Sequence, residues 1–299
     1  MCLTSPSEIL RAAELIRHGG LVAFPTETVY GLGANALDAK AVARIYEAKG
    51  RPWASPLIVH VADEAMARVI TSEWPPMAEI LATRFWPGPL TLILKKADTV
   101  PDLVTAGLDS VGVRVPAHSV ALDLIRRAGV PIAAPSANRF GQVSPTTAEH
   151  VRAGLGERID MILDGGATEV GIESTVASLR RIPPVILRPG MITLEQLEDA
   201  TGARWEREMG LPHLSESPGL HPRHYAPRTP FYVLERNAQK PPGNGRVLDM
   251  PQEPGPYAAA LYAELHKADI EGWDWIAVEE PSDTPEWAGI RDRLRRASE

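Results

Sequence analysis

Cysteine is nearly absent from the chain, which has a single one, Cys2, among 299 residues. One thiol excludes an internal disulfide framework and a cysteine-rich zinc site. Long apolar runs are missing as well: no segment approaches the roughly 20 apolar residues that a membrane-spanning helix needs, and the N-terminus, MCLTSPSEIL, lacks the basic-then-apolar pattern of a secretion signal. We therefore expect a cytoplasmic protein that makes no membrane contact.

Excess positive charge is also lacking. The formal net charge of −7 argues against a protein whose whole surface binds RNA, so any nucleic-acid contact should be confined to one face. The sequence contains no HExxH, no Cys and His residues at metal-ligand spacing and no GxSxG, which argues against a protease, a zinc enzyme and an esterase. We predict no metal site built by the protein itself.

Helical and extended segments alternate along the chain, which predicts a mixed α/β fold. Ser5, Pro6 and Glu8 carry the cap, first-turn proline and capping-box signals of a first helix. Asp38 begins a second helix, and others are predicted around 64–71, 75–85 and 119–128, with strands over 21–24, 57–61, 91–96, 111–116 and 131–136. Ligands usually bind at the strand ends of such sheets.

The composition changes after Gly202. Residues 209–230 hold five prolines and two glycines without any helical or alternating period, which predicts an irregular linker. Beyond it, apolar runs at 231–234, 246–250 and 275–278 flank a predicted helix near 256–268, and a basic helix follows from 285. We predict a main domain over 1–208, a linker over 209–230 and a small α/β domain over 231–299.

Four cations occupy the ends of predicted elements. Lys49 and Arg51 lie at the exit of a helix, whereas Arg114 and Arg188 each end a strand and are followed closely by proline. Taken alone, Lys49 and Arg51 are better explained as solvated charges at the negative end of the helix dipole. Convergence of all four would instead form a pocket for ATP or another phosphate.

Three polar loops and one histidine allow both a binding and a local structural explanation. Loop 135–147 could present Ser136, Asn138 and Ser144 to an anion or form only a turn and a helix cap. Segments 26–30 and 164–176 are equally ambiguous. His60 lies in an apolar strand, where a histidine is more often a satisfied core residue than a catalyst. The residues alone thus predict an α/β protein with an anion pocket.

Seven motifs then occur in a fixed order between about residues 8 and 200: FPTETVYGLG, AKGRPWASPLIVHV, FWPGPLTLIL, VGVRVP, APSANRFGQVSPT, GIESTV and ILRPG. This order resembles the YrdC-like threonylcarbamoyl-AMP synthases, and SPGLHPRHYAP (217–227) resembles the linker of their long, two-domain form. The resemblance implies an open twisted mixed sheet with a concave ligand cleft and a small Rossmann-like C-terminal domain. It also implies condensation of L-threonine, bicarbonate and ATP into threonylcarbamoyl-AMP for tRNA modification.

The resemblance implies a role for each matching residue. The positions around threonine are Thr28, His60, Arg114, the backbone at Ala134, and Ser174. The positions around ATP are Arg51, Ser55, Ser110, Ser136, Ser144, Arg188 and, from the linker, Tyr225 or its neighbour His224. Lys49 and Arg51 are implied as the catalytic cations near the phosphates, and magnesium is expected to arrive with ATP.

Further expectations concern partners and rival functions. The product would pass to the tRNA threonylcarbamoyl-transferase machinery, tRNA itself could make contact, and the linker is expected to fold over the pocket and shield a labile intermediate. One rival is a carbamoyl-adenylate-forming carbamoyltransferase that shares the YrdC-like module, although this chain lacks cysteines for the zincs that such proteins usually carry. The other is a non-catalytic RNA-binding module, which the acidic net charge disfavours.

Overall fold

The computed structural model describes residues 4–208, 224–235 and 238–298. Within them, ten strands form one sheet and three strands form a second. Residues 209–223, most of the predicted linker, lie outside the described part of the chain. Across the described residues, none of the helices combines the length and apolar character needed to span a membrane.

The α-helices are, in chain order, α1 Pro6–Arg17, α2 Ala39–Lys49, α3 Glu64–Ile70, α4 Pro76–Phe85, α5 Asp102–Thr105, α6 Ser119–Ala128, α7 Ala148–Leu155, α8 Leu194–Thr201, α9 Pro254–Ala268 and α10 Ala288–Ser298. Short 3₁₀ helices lie at Gly156–Arg158 and Pro285–Trp287.

The strands are β1 Val22–Phe24, β2 Gly31–Asn35, β3 Ile58–His60, β4 Leu90–Lys95, β5 Ser110–Arg114, β6 Ile132–Ala133, β7 Met161–Ile162, β8 Thr175–Ser178, β9 Val185–Arg188, β10 Glu206–Arg207, β11 Phe231–Leu234, β12 Gly245–Val247 and β13 Trp275–Glu279. The mixed α/β fold predicted from the sequence is therefore confirmed.

The large sheet runs in the order β10-β9-β8-β4-β5-β3-β6-β2-β1-β7. It is mixed, because β3 and β5 are parallel whereas β4 and β5 are antiparallel. The parallel register opposes His60 to Arg114 at the ends of their strands. This topology brings polar residues that are far apart in sequence to one edge of the sheet.

Two helix starts confirm the local signals in the sequence. The Ser5 side chain accepts from the backbone N–H of Glu8, and the Glu8 side chain accepts from the backbone N–H of Ser5, which completes a capping box on α1. Asp38 caps α2, and Gly50 ends it in the left-handed conformation at φ 64°. Arg51 follows Gly50 directly, so the α2 terminus fixes where the 51–57 loop begins.

Strand β2 was not predicted, because its sequence GLGAN has no β-branched or aromatic residue. Close packing explains the composition. A Cβ at Gly33 would lie 2.7 Å from Phe24 Cε1 and 2.8 Å from Ile132 Cγ2, so only glycine allows the neighbouring side chains to meet here. Packing thus outweighs strand propensity at this position.

Apolar clusters cover both faces of the large sheet. Ala23 and Leu32 pack on one face with residues of α2 and α7, whereas Val22 and Phe24 pack on the other with α1 and α6. Successive strand residues point to opposite faces, which explains why they join different clusters. The site described below therefore lies on a sheet that is packed on both faces.

The small domain has a parallel sheet in the order β11-β13-β12, with α9 as the crossover between β12 and β13. This confirms the small α/β unit expected from the sequence. Its core is continuous with residues of the large domain, because Ile172 packs in the same buried cluster as Tyr225, Tyr262 and Ile290. The small domain is thus packed against the loops that carry the polar motifs.

Candidate active site

A cavity of about 50 Å³ lies at the polar edge of the large sheet. Its lining comes from loop 26–31, strands β3, β5 and β9, the loops after α2 and β6, the segment before β8, and two residues near the end of the linker to the small domain. The lining residues are Thr26, Thr28, Val29, Gly31, Arg51, Ile58, His60, Arg114, Ala134, Pro135, Ser136, Glu173, Ser174, Arg188, His224 and Tyr225. We call this the central cavity.

Arg114 is fixed in the cavity wall by three groups. Its Nη1 donates to Thr28 Oγ1 at 3.0 Å, and its Nε donates to the carbonyl of Gly88 at 3.2 Å. Its Nη2 lies 2.6 Å from Glu27 Oε1 in an ion pair whose orientation is not that of a hydrogen bond. Both side chains are about 95% buried. An anionic ligand at Arg114 would meet a guanidinium that is already oriented.

His60 lies beside Arg114 and is buried. Burial, followed by the positive charge of Arg114, lowers the pKa of His60 to about 3. Its ring packs edge-on against Phe24, and its Nδ1 has no hydrogen-bond partner among the described residues. At neutral pH the imidazole is therefore neutral, with one ring nitrogen available to a ligand.

Lys49 and Arg51 are both buried, so the solvated interpretation favoured for each of them alone is wrong. The Lys49 Nζ donates to the carbonyl of Ser136 at 2.5 Å and to that of Asn138. Burial, followed by the charge of Arg51, lowers the pKa of Lys49 well below its usual value. Lys49 is absent from the cavity lining because its ammonium is directed to the loop behind it.

Arg51 does line the cavity. Its Nη2 donates to the carbonyl of Pro56 at 3.0 Å, and the guanidinium lies 5.8 Å from the centre of the Phe140 ring. Burial lowers the pKa of Arg51 to about 10, which leaves it charged at neutral pH. The charge is thus held at the cavity by backbone carbonyls rather than by a carboxylate.

Arg188 contributes the third guanidinium. Its Nε and Nη2 both donate to the carbonyl of Ser174, at 3.2 and 3.1 Å. The Ser174 hydroxyl lies 2.8 Å from Thr91 Oγ1 and 3.3 Å from Arg188 Nη2. Strand β9 therefore fixes the peptide that precedes β8, and the two residues form one wall.

Glu173 is the buried acid of this wall. Burial raises the pKa of its carboxyl, but the charges of Arg293 and Arg188 and hydrogen bonds from Ser144 and Arg293 outweigh that effect, so the pKa lies below its usual value. Oε1 accepts from Ser144 Oγ at 2.5 Å, and Oε2 accepts from Tyr262 at 3.1 Å. The Ser144 hydroxyl is committed to Glu173 and is absent from the cavity lining.

Tyr225 adopts φ 63°, which is rare for a bulky residue and marks local strain. Its ring packs against His224 at 4.1 Å and Tyr262 at 5.9 Å between centroids. Its buried hydroxyl has no hydrogen-bond partner among the described residues. This group is therefore available to a ligand.

The structure brings together most of the residues named from the sequence. All five threonine positions, Thr28, His60, Arg114, Ala134 and Ser174, line the central cavity, as do Arg51, Ser136, Arg188 and Tyr225. Ser55 and Ser110 are buried but do not line it. Ser110 begins β5, at the opposite end of the strand from Arg114. Their ligand roles stay predictions.

One residue of this region was missed altogether. Arg293 is fully buried, and its Nε donates to Glu173 Oε2 at 2.7 Å. A sequence signal does exist: Arg293 falls between Ile290, Leu294 and Ala297 at the i, i+3, i+4, i+7 spacing of a buried helix face. An arginine on the apolar face of a helix needs an anionic partner, which is Glu173 here.

Comparison with known proteins identifies both parts of the chain. A family model described as "Telomere recombination" matches residues 14–190, and one described as "Threonylcarbamoyl-AMP synthase, C-terminal domain" matches residues 192–299.

Two relatives are named threonylcarbamoyl-AMP synthase. That from Pyrococcus abyssi is 52% identical over 75% of this chain and 67% of its own length, and that from Bacillus subtilis is 44% identical over 99% of this chain and 94% of its own length. The crystal structure of P. abyssi Sua5 complexed with L-threonine matches with a TM-score of 0.92 and 41% identity, over 98% of this chain and 95% of that one.

Proposed function

The chain belongs to the threonylcarbamoyl-AMP synthase family, and we propose that it condenses L-threonine, bicarbonate and ATP into threonylcarbamoyl-AMP and pyrophosphate. One observation carries the proposal: three buried guanidinium groups, those of Arg51, Arg114 and Arg188, line the same cavity. Glu27 pairs with Arg114, whereas Arg51 is held by backbone carbonyls, so an anionic ligand would compensate positive charge in this cavity.

Threonine is assigned to the part of the cavity around His60 and Arg114. The guanidinium would bind the carboxylate of threonine, the Thr28 and Ser174 hydroxyls can bond its polar groups, and the neutral imidazole offers Nδ1. A neutral imidazole can accept a hydrogen bond from the amino group of threonine, which a protonated histidine cannot do. The neutral state of His60 therefore suits the amino group as a ligand.

ATP is assigned to the side of the cavity that carries Arg51, Ser136, Arg188 and Tyr225. Two guanidinium groups would pair with the phosphates, and the Tyr225 hydroxyl, which has no partner in the described part of the chain, can donate to the nucleotide. The cavity volume of about 50 Å³ is far below the roughly 300–1,000 Å³ of ligand sites. We therefore propose that the His224–Tyr225 segment moves to admit ATP.

The reaction requires little acid–base work by side chains. The threonine amine adds to the carbon derived from bicarbonate and water is lost, which yields an N-carboxylate. An oxygen of that carboxylate attacks the α-phosphorus of ATP, and the bond to the β-phosphate oxygen breaks to release pyrophosphate. The arginines would lower the repulsion between the two anions and hold them in line, so positioning accounts for most of the rate.

Magnesium is proposed to enter with ATP. In the described residues, no group of three or more His, Cys, Asp or Glu side chains could hold a metal ion. Glu173, which lines the cavity, is paired with Arg293, and Glu27 is paired with the lining residue Arg114. When bound to ATP, the metal would neutralise charge on the leaving pyrophosphate.

Pyrophosphate release from ATP by the purified protein tests the proposal, with threonine and bicarbonate each omitted in turn. We expect release only when both are present. Release without threonine would favour a carbamoyltransferase, and no release together with salt-dependent RNA binding would favour the RNA-binding alternative.

We further propose a cytoplasmic location and transfer of the product to the tRNA threonylcarbamoyl-transferase machinery. The adenylate is an activated acyl group, so its consumer must be an enzyme that transfers it to an amine of tRNA. Direct contact with tRNA would be confined to one face of this acidic protein.

A further inference from the structure

We propose that Arg293, in the C-terminal domain, is a positioning residue for the central cavity. The inference rests on the proposed function, since it concerns how the small domain supports that site. Arg293 belongs to α10, 120 residues beyond Glu173 in sequence, and its side chain is fully buried.

The Arg293 guanidinium contacts three chain segments that each carry a cavity residue. Nη2 donates to the carbonyl of Glu173 at 3.1 Å, in the peptide that joins Glu173 to Ser174. Nη1 donates to the carbonyl of Pro189 at 2.9 Å, immediately after Arg188. The guanidinium also lies 5.2 Å from the centre of the Tyr225 ring. One side chain therefore ties together the segments that hold Ser174, Arg188 and Tyr225.

The same guanidinium compensates the buried charge of Glu173. The Nε to Oε2 distance is 2.7 Å, and the carboxylate in turn accepts from Ser144 and Tyr262. On its other side, Arg293 Nη1 donates to Asp292 Oδ2 at 2.9 Å. Burial would lower the pKa of Arg293, but Tyr225, Glu173 and other acidic neighbours raise it, so the residue is always charged.

Two glycines allow α10 to approach the loop that follows Arg188. Gly289, one turn before Arg293, lies against Gly190, and a Cβ at Gly289 would be 2.7 Å from the Gly190 carbonyl oxygen. Any larger residue would push the helix away from the loop that follows Arg188. The approach also depends on the small domain being docked, because α10 belongs to its core through Ile290 and Leu294.

This role requires a side chain with several hydrogen-bond donors that point in different directions. Arginine presents five N–H groups in a rigid plane, and Arg293 uses them on the carboxylates of Glu173 and Asp292 and on the backbone carbonyls of Glu173 and Pro189. Lysine would keep the charge but could not reach all of these acceptors. Displacement of cavity groups by about 1 Å can cost roughly 100-fold in rate.

The test is calorimetric titration of the full-length protein with threonine and with a non-hydrolysable ATP analogue. We compare wild type with Arg293→Met, Arg293→Lys, Glu173→Gln and the double variant Arg293→Met/Glu173→Gln. Calorimetry separates two effects: partial unfolding lowers the binding stoichiometry, whereas a misplaced site raises the Kd of the molecules that are folded.

We expect Arg293→Met to raise the Kd of at least one ligand tenfold or more at unchanged stoichiometry, and Arg293→Lys to raise it less. The ion pair between Arg293 and Glu173 is lost in each single variant, so the loss of affinity in the double variant should be smaller than the product of the two single losses. Arg295→Met is the matched control, since Arg295 lies on the same helix with its side chain 60% exposed; it should bind as the wild type does.

A wild-type Kd in Arg293→Met would overturn the inference, and so would losses that multiply in the double variant. A different result would contradict the proposed function: a wild-type protein that binds both ligands yet releases no threonine-dependent pyrophosphate. A wild type that binds neither ligand would overturn both.

Discussion

Replacement of Lys49 by methionine separates two roles for this lysine. If Lys49 and Arg51 are both catalytic cations near the phosphates, removal of either should lower turnover and leave the fold intact. In the structure, the Lys49 ammonium instead donates to the carbonyls of Ser136 and Asn138 and joins the end of α2 to loop 135–142. Methionine has a similar length and no donor, so Lys49→Met removes both bonds.

The expected loss of folding stability follows from the two carbonyls that lose their hydrogen-bond donor. A buried group that loses its partner costs about 1–3 kcal/mol, which gives about 2–6 kcal/mol for the pair. Relief from burying the lysine charge offsets part of this, so the lower half of the range is expected. Since domains are stable by about 5–15 kcal/mol, most of the variant should stay folded at room temperature.

The assay is urea unfolding without ATP, together with pyrophosphate release under conditions where the variant is folded. We expect an earlier unfolding midpoint for Lys49→Met, and a wild-type midpoint for Lys40→Met, an exposed lysine of the same helix. A Lys49→Met protein that unfolds like wild type but has lost its turnover would refute the structural role of Lys49. It would support a role for Lys49 in binding the phosphates.

Three more outcomes follow from the same structure. Arg114→Met should lower the free energy of unfolding by about 3–5 kcal/mol, because it leaves Glu27 buried without its partner. The double variant Arg114→Met/Glu27→Gln should regain most of that stability in urea but bind no threonine by calorimetry. Restored threonine binding would contradict the role of Arg114 as the partner of the threonine carboxylate. Burial and then His266, whose ring stacks on His150 at 3.9 Å, lower the pKa of His150 to about 4. In the unfolded chain the histidine binds a proton below about pH 6.5, whereas in the folded protein it stays neutral until about pH 4. Folding stability that is present above pH 6.5 is therefore lost as the pH falls from about 6.5 toward 4. The urea midpoint should therefore fall more steeply with acid in wild type than in His150→Phe, and equal slopes would count against this. A chelator should abolish pyrophosphate release yet leave the melting temperature of the ATP-free protein unchanged, whereas a lowered melting temperature would reveal a metal held by the protein.

Local signals in the sequence predicted the parts of the site that depend on strand ends. Arg114 and Arg188 were placed correctly because each is the last residue of its strand before a proline-containing turn. Asp38 and Gly50 likewise mark the limits of α2 and so the position of Arg51. These features depend on a few neighbouring residues, which the sequence shows directly.

The remaining features depend on contacts between distant segments. Lys49 and Arg51 were better explained in isolation as solvated charges, but both are buried: Lys49 contacts the carbonyls of Ser136 and Asn138, and Arg51 contacts those of Ser55 and Pro56. For Ser144 the sequence left a ligand-binding hydroxyl and a helix cap open, and it did not show that the hydroxyl donates to Glu173, 29 residues away. The Arg293–Glu173 pair spans two domains, and only its helical spacing is visible in the sequence.

The central claim is tested most directly by mass spectrometry of the reaction products formed from ATP, threonine and isotopically labelled bicarbonate. We expect one adenylate that contains threonine, AMP and a single labelled carbon, and we expect none of it when Arg114→Met replaces the wild type. An unlabelled adenylate of threonine, or AMP and pyrophosphate formed without any threonine-containing product, would contradict it.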